Sequence, residues 1–305
     1  MQTTDPATGA DRRVVQAAGS APGTSERGGV ETAFVLGGGG VLGACEVGML
    51  RALLEAGIEP DLVLGTSVGA INGAVFAAEP ELEGVARLEK VWTELDARGV
   101  FEGSLFTRLG TAVRTRTHLH SNEALRLLLG EALGDARIEH LPLRFECVAA
   151  SIERAAETWF AAGTALDAVL ASCAVPGLLP PVEIGGEHYL DGGLVDSVPL
   201  GRAVELGAKR IFVLHVGRVE QPLTVPQQPW EVAAVAFEIS RRHRLSRALA
   251  ELPEGVRAHL LPTGNRPGDT SGIGSYLRYR SAGSARDRIA RAYQAGTRYL
   301  DALPS

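Results

Sequence analysis

The chain has 305 residues, 45% of them hydrophobic and 22% charged, enough for one large α/β domain or two small ones with a buried core. Its 36 acidic against 30 basic side chains give a formal net charge of −6, which excludes the basic footprint of a nucleic-acid binder. Three cysteines, Cys45, Cys147 and Cys173, are odd in number and far apart, so they argue against a disulfide framework, fit a reducing compartment and have no metal-site spacing.

Residues 1–30 are rich in Gly, Ser, Thr, Ala and charge. They read as a disordered tail, and they lack the apolar central run of a secretory leader. No stretch reaches the roughly 18 consecutive apolar residues of a membrane span. Any contact with lipid is therefore expected to be peripheral, and the location cytoplasmic or at the inner face of a membrane. Residues 31–305 read as one domain.

Thr32-Ala33-Phe34-Val35-Leu36 predicts a strand, and Gly37-Gly38-Gly39-Gly40-Val41-Leu42-Gly43 follows it. A helix is expected over 43–55, with Gly57 as its stop signal. Pro60-Asp61 introduces a second strand, Leu62-Val63-Leu64, which runs into Gly65-Thr66-Ser67-Val68-Gly69, and a further helix starts after Ser67. A strand–helix–strand unit makes the two strands parallel with a right-handed crossover. Both glycine turns then lie at strand carboxyl ends, where open α/β sheets place their ligands.

Amphipathic helices are expected over 81–96 and 121–133. Between them, Val100-Phe101 and Leu105-Phe106, with Arg108, Arg114 and Arg116, read either as a solvated cap or as a segment that touches an anionic membrane surface. A strand over 143–150 is paired by 157–160, and a short helix over 165–174 is closed by Pro176. Glu187-His188-Tyr189-Leu190 leads into Asp191-Gly192-Gly193. Residues 210–216 form a near-continuous apolar run, as in a strand buried on both faces. Helices fill 230–250 and 284–302, with a Gly/Pro-rich loop over 262–275, so that 225–305 is a helical C-terminal extension. There is no internal repeat.

Two motifs carry chemistry. The run Gly38-x-Gly40-x-x-Gly43 meets the dinucleotide fingerprint, but that fingerprint wants an acidic residue at the end of the second strand. Here Asp61 stands at the start of that strand. Four successive glycines bare their N–H groups toward a ligand, which favours an oxyanion or phosphate loop over a nucleotide site or a plain turn. Gly65-x-Ser67-x-Gly69 is the nucleophile-elbow pattern, with Ser67 as a plain helix N-cap the alternative.

A serine nucleophile needs a base. The seven histidines, His118, His120, His140, His188, His215, His243 and His259, offer none that stands out: His215 lies in an apolar strand and His243 on a charged helix face. Asp191, held by Gly192-Gly193, can take the proton directly if burial raises its pKa, or it is only a turn residue. A Ser67–Asp191–histidine triad using His215 or His243 stays open on these grounds, as does a nucleotide-binding protein.

Taken together, Gly37-Gly38-Gly39-Gly40, Gly65-Thr66-Ser67-Val68-Gly69-Ala70-Ile71-Asn72-Gly73-Ala74, Ala171-Ser172-Cys173-Ala174-Val175-Pro176-Gly177, Pro180-Pro181-Val182 and Asp191-Gly192-Gly193 resemble the patatin-like phospholipases over 32–216. The resemblance implies a three-layer α/β/α fold with a mostly parallel central sheet. It also implies a serine lipid acyl hydrolase with Ser67 as nucleophile, Asp191 as base and an oxyanion loop at Gly38, Gly39, Gly40 and Gly43. No metal or organic cofactor is implied, the expected partner is a lipid or acyl-ester substrate, and the oligomeric state is left undetermined. Two positions depart from the family pattern. Leu42 stands where members often carry Arg or Lys, and Glu46 where many bacterial members carry His.

Overall fold

The structure, a computed structural model, describes residues 29–97, 121–216, 222–223, 225–264 and 284–303. The apolar cap-or-membrane segment at 100–116 and most of the 262–275 loop lie outside the described residues, as do His118 and His120.

Eight strands form one sheet: β1 (Thr32–Leu36), β2 (Leu62–Thr66), β3 (Arg144–Ser151), β4 (Ala156–Phe160), β5 (Val182–Ile184), β6 (Glu187–Asp191), β7 (Arg210–Leu214) and β8 (Arg257–Leu260). Their order is β5-β6-β3-β2-β1-β7-β8, with β4 also paired to β3. The pairs β1–β2, β2–β3, β1–β7 and β7–β8 are parallel, whereas β3–β4, β3–β6 and β5–β6 are antiparallel. The sheet is therefore parallel through its centre, with an antiparallel corner around the end of β3.

Two core clusters cover opposite faces of this sheet. Phe34, Leu36, Val63, Phe212 and Leu214 point into one, and Ala33, Val35, Leu62, Leu64, Ile211 and Val213 into the other. That alternation is the two-residue period of a strand, and it explains why β1 and β2 are apolar at nearly every position. The larger cluster takes in helices α1 (Ala44–Glu55), α2 (Val68–Ala78), α3 (Leu82–Ala97), α4 (Glu123–Leu133), α5 (Ala165–Ser172) and α8 (Ala285–Asp301). The smaller one takes in α6 (Leu200–Glu205) and Leu245 of α7 (Pro229–Ala250). The result is the expected three-layer α/β/α arrangement. Among the described residues, no helix is long and apolar enough to cross a membrane.

The parallel register sets the site. Leu36 of β1 pairs with Gly65 of β2, and Leu36 also pairs with Leu214 of β7. The glycine run after β1 and the serine turn after β2 therefore leave the sheet side by side. The 210–216 run is shorter as a strand than its hydropathy predicts: β7 ends at Leu214, and His215 and Val216 belong to the exit from the sheet. Strands β5 and β8 are additional to the sequence-based expectation. Each is only three or four residues long, too short for hydrophobic alternation to register.

Candidate active site

Ser67 sits on a bend with φ 55° and ψ −122°, a conformation that side-chain-bearing residues avoid and that costs about 1–3 kcal/mol. The flanking glycines make the bend sterically feasible. A Cβ on Gly65 would lie 2.5 Å from the Gly69 carbonyl oxygen, and one on Gly69 would lie 2.3 Å from the Leu36 carbonyl oxygen. Strand and helix thus cross at backbone contact, which throws the serine side chain outward from the turn. Ser67 holds the N-cap position of α2, but its hydroxyl makes no capping bond.

That hydroxyl donates instead to Asp191 Oδ2 at 2.6 Å, joining residues 124 positions apart. Asp191 ends β6 and caps a one-turn 3-10 helix, Gly192–Leu194. Its Oδ1 accepts from the Gly193 N–H at 2.7 Å, and its own N–H donates to the Ala174 carbonyl at 2.9 Å. Gly192 runs hard against β3, where a Cβ would lie 2.1 Å from the Val148 carbonyl oxygen. Ser67 and Asp191 are 7% and 5% exposed. Burial raises the Asp191 carboxyl to about 6, against the opposing pull of the Ser67 hydroxyl and the Gly193 N–H, which stabilise the anion.

The glycine run closes the other side of the dyad. A Cβ on Gly38 would stand 3.4 Å from Ser67 Cβ, so the loop lies directly over the serine. The Gly38 N–H itself is engaged, donating to the Ser197 carbonyl at 2.9 Å. In this arrangement Gly38 combines close approach to Ser67 with a backbone bond to the stretch after Asp191. Gly39 and Gly40 open a 3-10 turn, Gly40–Gly43, that leads into α1, and the first N–H groups of a helix have no partner within it. Gly40 adopts φ 56°, and Gly39 leaves no room beside Val216, whose Cγ2 would lie 2.0 Å from an added Cβ. Gly43 is wedged between Trp92 and Val68. Leu42 packs against the core, which accounts for an apolar side chain at that position.

Among the described residues, no histidine bonds to Ser67 or Asp191. His215 is buried against Arg241, with ring nitrogens 3.3 and 3.5 Å from Nη1, and its burial followed by Arg241 and Arg242 pushes the imidazole well below its usual range. His243 lines a groove of about 350 Å³ between α6 and α7. His188 bonds Glu153, and His259 stacks on Phe212.

Three supports escaped the sequence reading. The Ser67 N–H donates to Ser172 Oγ at 2.9 Å, and Ser172 lies in the Ala171–Gly177 block, whose pattern was legible without a role attached. Thr66 Oγ1 donates to the Asp196 carbonyl, which ties the elbow to the stretch after Gly193. Arg244 on α7 donates to the carbonyls of Leu194 and Val195, pinning the turn that carries Asp191. No sequence pattern ties an arginine to carbonyls some 50 residues upstream.

A profile of the patatin-like phospholipases matches residues 34–204, a span that holds both glycine turns, Ser172 and Asp191 and stops short of α7 and α8. The chain is 32% identical over 188 residues to the lysophospholipase nte1 of Aspergillus terreus, covering 61% of this chain and 12% of that protein. It is 32% identical over 195 residues to the lysophospholipase NTE1 of Candida glabrata, covering 61% of this chain and 10% of that protein. The chain thus corresponds to a small fraction of these much longer relatives. Among solved structures, VipD from Legionella pneumophila superposes with a TM-score of 0.42 at 13% identity, covering 89% of this chain and 67% of that one. ExoU in its complex with SpcU from Pseudomonas aeruginosa gives a TM-score of 0.39 at 15% identity, covering 97% and 60%. With more than half its length matched by the profile, the chain belongs to the patatin-like phospholipase family.

Proposed function

We propose that this chain is a serine lipid acyl hydrolase working through a Ser67–Asp191 dyad. The observation that carries the proposal is the 2.6 Å bond from the Ser67 hydroxyl to a buried carboxylate, with no imidazole between them. As Ser67 Oγ attacks the ester carbonyl carbon, its proton passes to Asp191 Oδ2. The carbonyl π electrons move to oxygen, and the N–H groups of Gly39 and Gly40, at the start of the 3-10 turn, hold the oxyanion. The tetrahedral intermediate collapses, the bond to the alcohol oxygen breaks, and Asp191 returns the proton to that oxygen. Water then attacks the acyl-serine, Asp191 accepts one of its protons, and Ser67 leaves with that proton as the fatty acid departs.

A carboxylate of ordinary pKa is a poor base for this work. Raising Asp191 to about 6 brings it closer to the operating pH without leaving it protonated at neutrality. The lysophospholipase names of the fungal relatives make a single-chain phospholipid the first substrate to test, with two-chain phospholipids and simple acyl esters alongside. A fluorophosphonate probe should label the wild type and leave Ser67→Ala unlabelled, and fatty-acid release from lysophosphatidylcholine should disappear in the same variant. Labelling or release that persists in Ser67→Ala would refute the assignment.

A further inference from the structure

Glu46 is fully buried in the first turn of α1, a few residues past the glycine run. Its Oε2 accepts from Asn72 Nδ2 at 2.8 Å, and Oε1 has no partner. The same Asn72 amide donates to the Gly43 carbonyl at 2.9 Å, while Asn72 Oδ1 accepts from the Trp92 indole N–H at 2.8 Å. Asn72 lies on α2, the helix that begins at Ser67, and Trp92 lies on α3. Trp92 and Val68, the residue after the nucleophile, also press on Gly43 from either side.

One buried network therefore fastens the end of the oxyanion turn to the helix that carries the nucleophile. We propose that Glu46, acting through Asn72, is a positioning residue that sets the glycine loop against Ser67 for transition-state binding. The inference rests on the hydrolase assignment above. Burial drives the Glu46 carboxyl well above its usual range, opposed by the Asn72 amide and the Gly37 peptide, which favours its protonated form. An acid in that form has the shape of a glutamine amide, whose carbonyl can accept from Asn72 in the same way. Its task is geometric, and a displacement on the order of 1 Å at such a site can cost about 100-fold in rate.

The test compares E46Q, E46A and W92F, the last of which removes both the indole N–H to Asn72 and the benzo edge that faces Gly43. Each is assayed on a soluble p-nitrophenyl ester, by fluorophosphonate labelling of Ser67 and by thermal melting. E46A and W92F are expected to lose about 10- to 100-fold in kcat with KM within about twofold, and to label more slowly in proportion. E46Q is expected to restore kcat to within about threefold of wild type, because no charge is required. If E46A fails to fold, W92F carries the comparison. The inference is overturned if the folded variants keep wild-type kcat, if their loss lies in KM, or if E46Q is as damaged as E46A. A wild type that the probe does not label at Ser67 refutes the hydrolase assignment instead.

Discussion

Replacing Asp191 with asparagine should abolish turnover and stabilise the fold, and the stabilisation should depend on pH. The carboxyl titrates at about 6 in the folded chain against an ordinary value of 3.8, chiefly because burial disfavours its charged form. Between those two values the folded state holds the proton more tightly than the unfolded state does. Stability from this group is therefore fully present below about 4 and is lost as pH rises through about 6. The difference of about 2 pKa units corresponds to about 3 kcal/mol at pH 8, at 1.36 kcal/mol per unit. Asparagine carries no charge, can accept the Gly193 N–H through its carbonyl and can donate to Ser67 Oγ, so it keeps the packing and avoids the desolvation. At pH 8 Asp191→Asn should melt higher than wild type by about 6–12 °C, at roughly 2–4 °C per kcal/mol for a large domain. At pH 4 the two should melt nearly together.

Asp196, also raised by burial, to about 7, adds its own pH dependence to both proteins. It cancels in the difference between them, so the variant pair reads Asp191 alone. The kinetic counterpart is a wild-type kcat/KM that climbs about tenfold per pH unit below about 6 and levels off above it. A destabilised Asp191→Asn at pH 8, or a gap in melting temperature that does not change with pH, would refute the claim that burial of a charged base is what this site tolerates for catalysis.

The positive φ of Ser67 should make Ser67→Gly more stable than Ser67→Ala by about 1 kcal/mol, both being inactive, and urea unfolding of the pair measures it. Ser172→Ala leaves the buried Ser67 N–H without its acceptor, so it should cost about 1–3 kcal/mol in stability and lower kcat more than it raises KM. Arg244→Ala frees the carbonyls of Leu194 and Val195 and should slow fluorophosphonate labelling of Ser67, although residue 244 lies outside the matched family span. His215→Gln should retain esterase activity within about threefold, and loss as deep as that of Ser67→Ala would restore a histidine-dependent mechanism.

The elements that position the dyad were legible because their signals are local. Strand β1, its glycine run, α1, β2 and the Ser67 turn follow one another within the first described stretch, and each is marked by hydrophobic runs or by glycines that backbone contact requires. The pairing of Ser67 with Asp191 could be read from residues only as even odds between a base and a turn, since nothing in the chain between residues 124 positions apart encodes their approach. Ser172, Asp196 and Arg244 were missed for the same reason. Each acts through a backbone carbonyl, a hydroxyl oxygen or a guanidinium whose partner is fixed by tertiary packing. The use of the Gly38 N–H was equally hidden, because its acceptor, Ser197, comes from the far side of the sheet's antiparallel corner.

The topology explains why these distant pieces meet where they do. From β1 the chain moves across β2 to β3 on one side, completes the antiparallel corner, and returns to β7 on the other side of β1. Connections leaving β1 and β7 therefore diverge to opposite faces of the sheet, and an open α/β sheet has a crevice at the carboxyl end of such a strand. The glycine run sits at that crevice, with the Gly37 N–H bonded to Leu214 at the end of β7 and the Gly38 N–H to Ser197 on the path from Asp191. The β3 strand is long enough to hold β2 over Arg144–Val148 and β6 over Ala149–Ser151, so one strand aligns Thr66, the neighbour of Ser67, with the strand that ends in Asp191. Shortening the far end of β3 should leave the parallel half of the sheet intact while separating Asp191 from Ser67. A proline at Ala150, which removes a ladder donor there, is therefore expected to cost activity out of proportion to its effect on the β1–β2–β7 core, as read by fluorophosphonate labelling against hydrogen-exchange protection of β1.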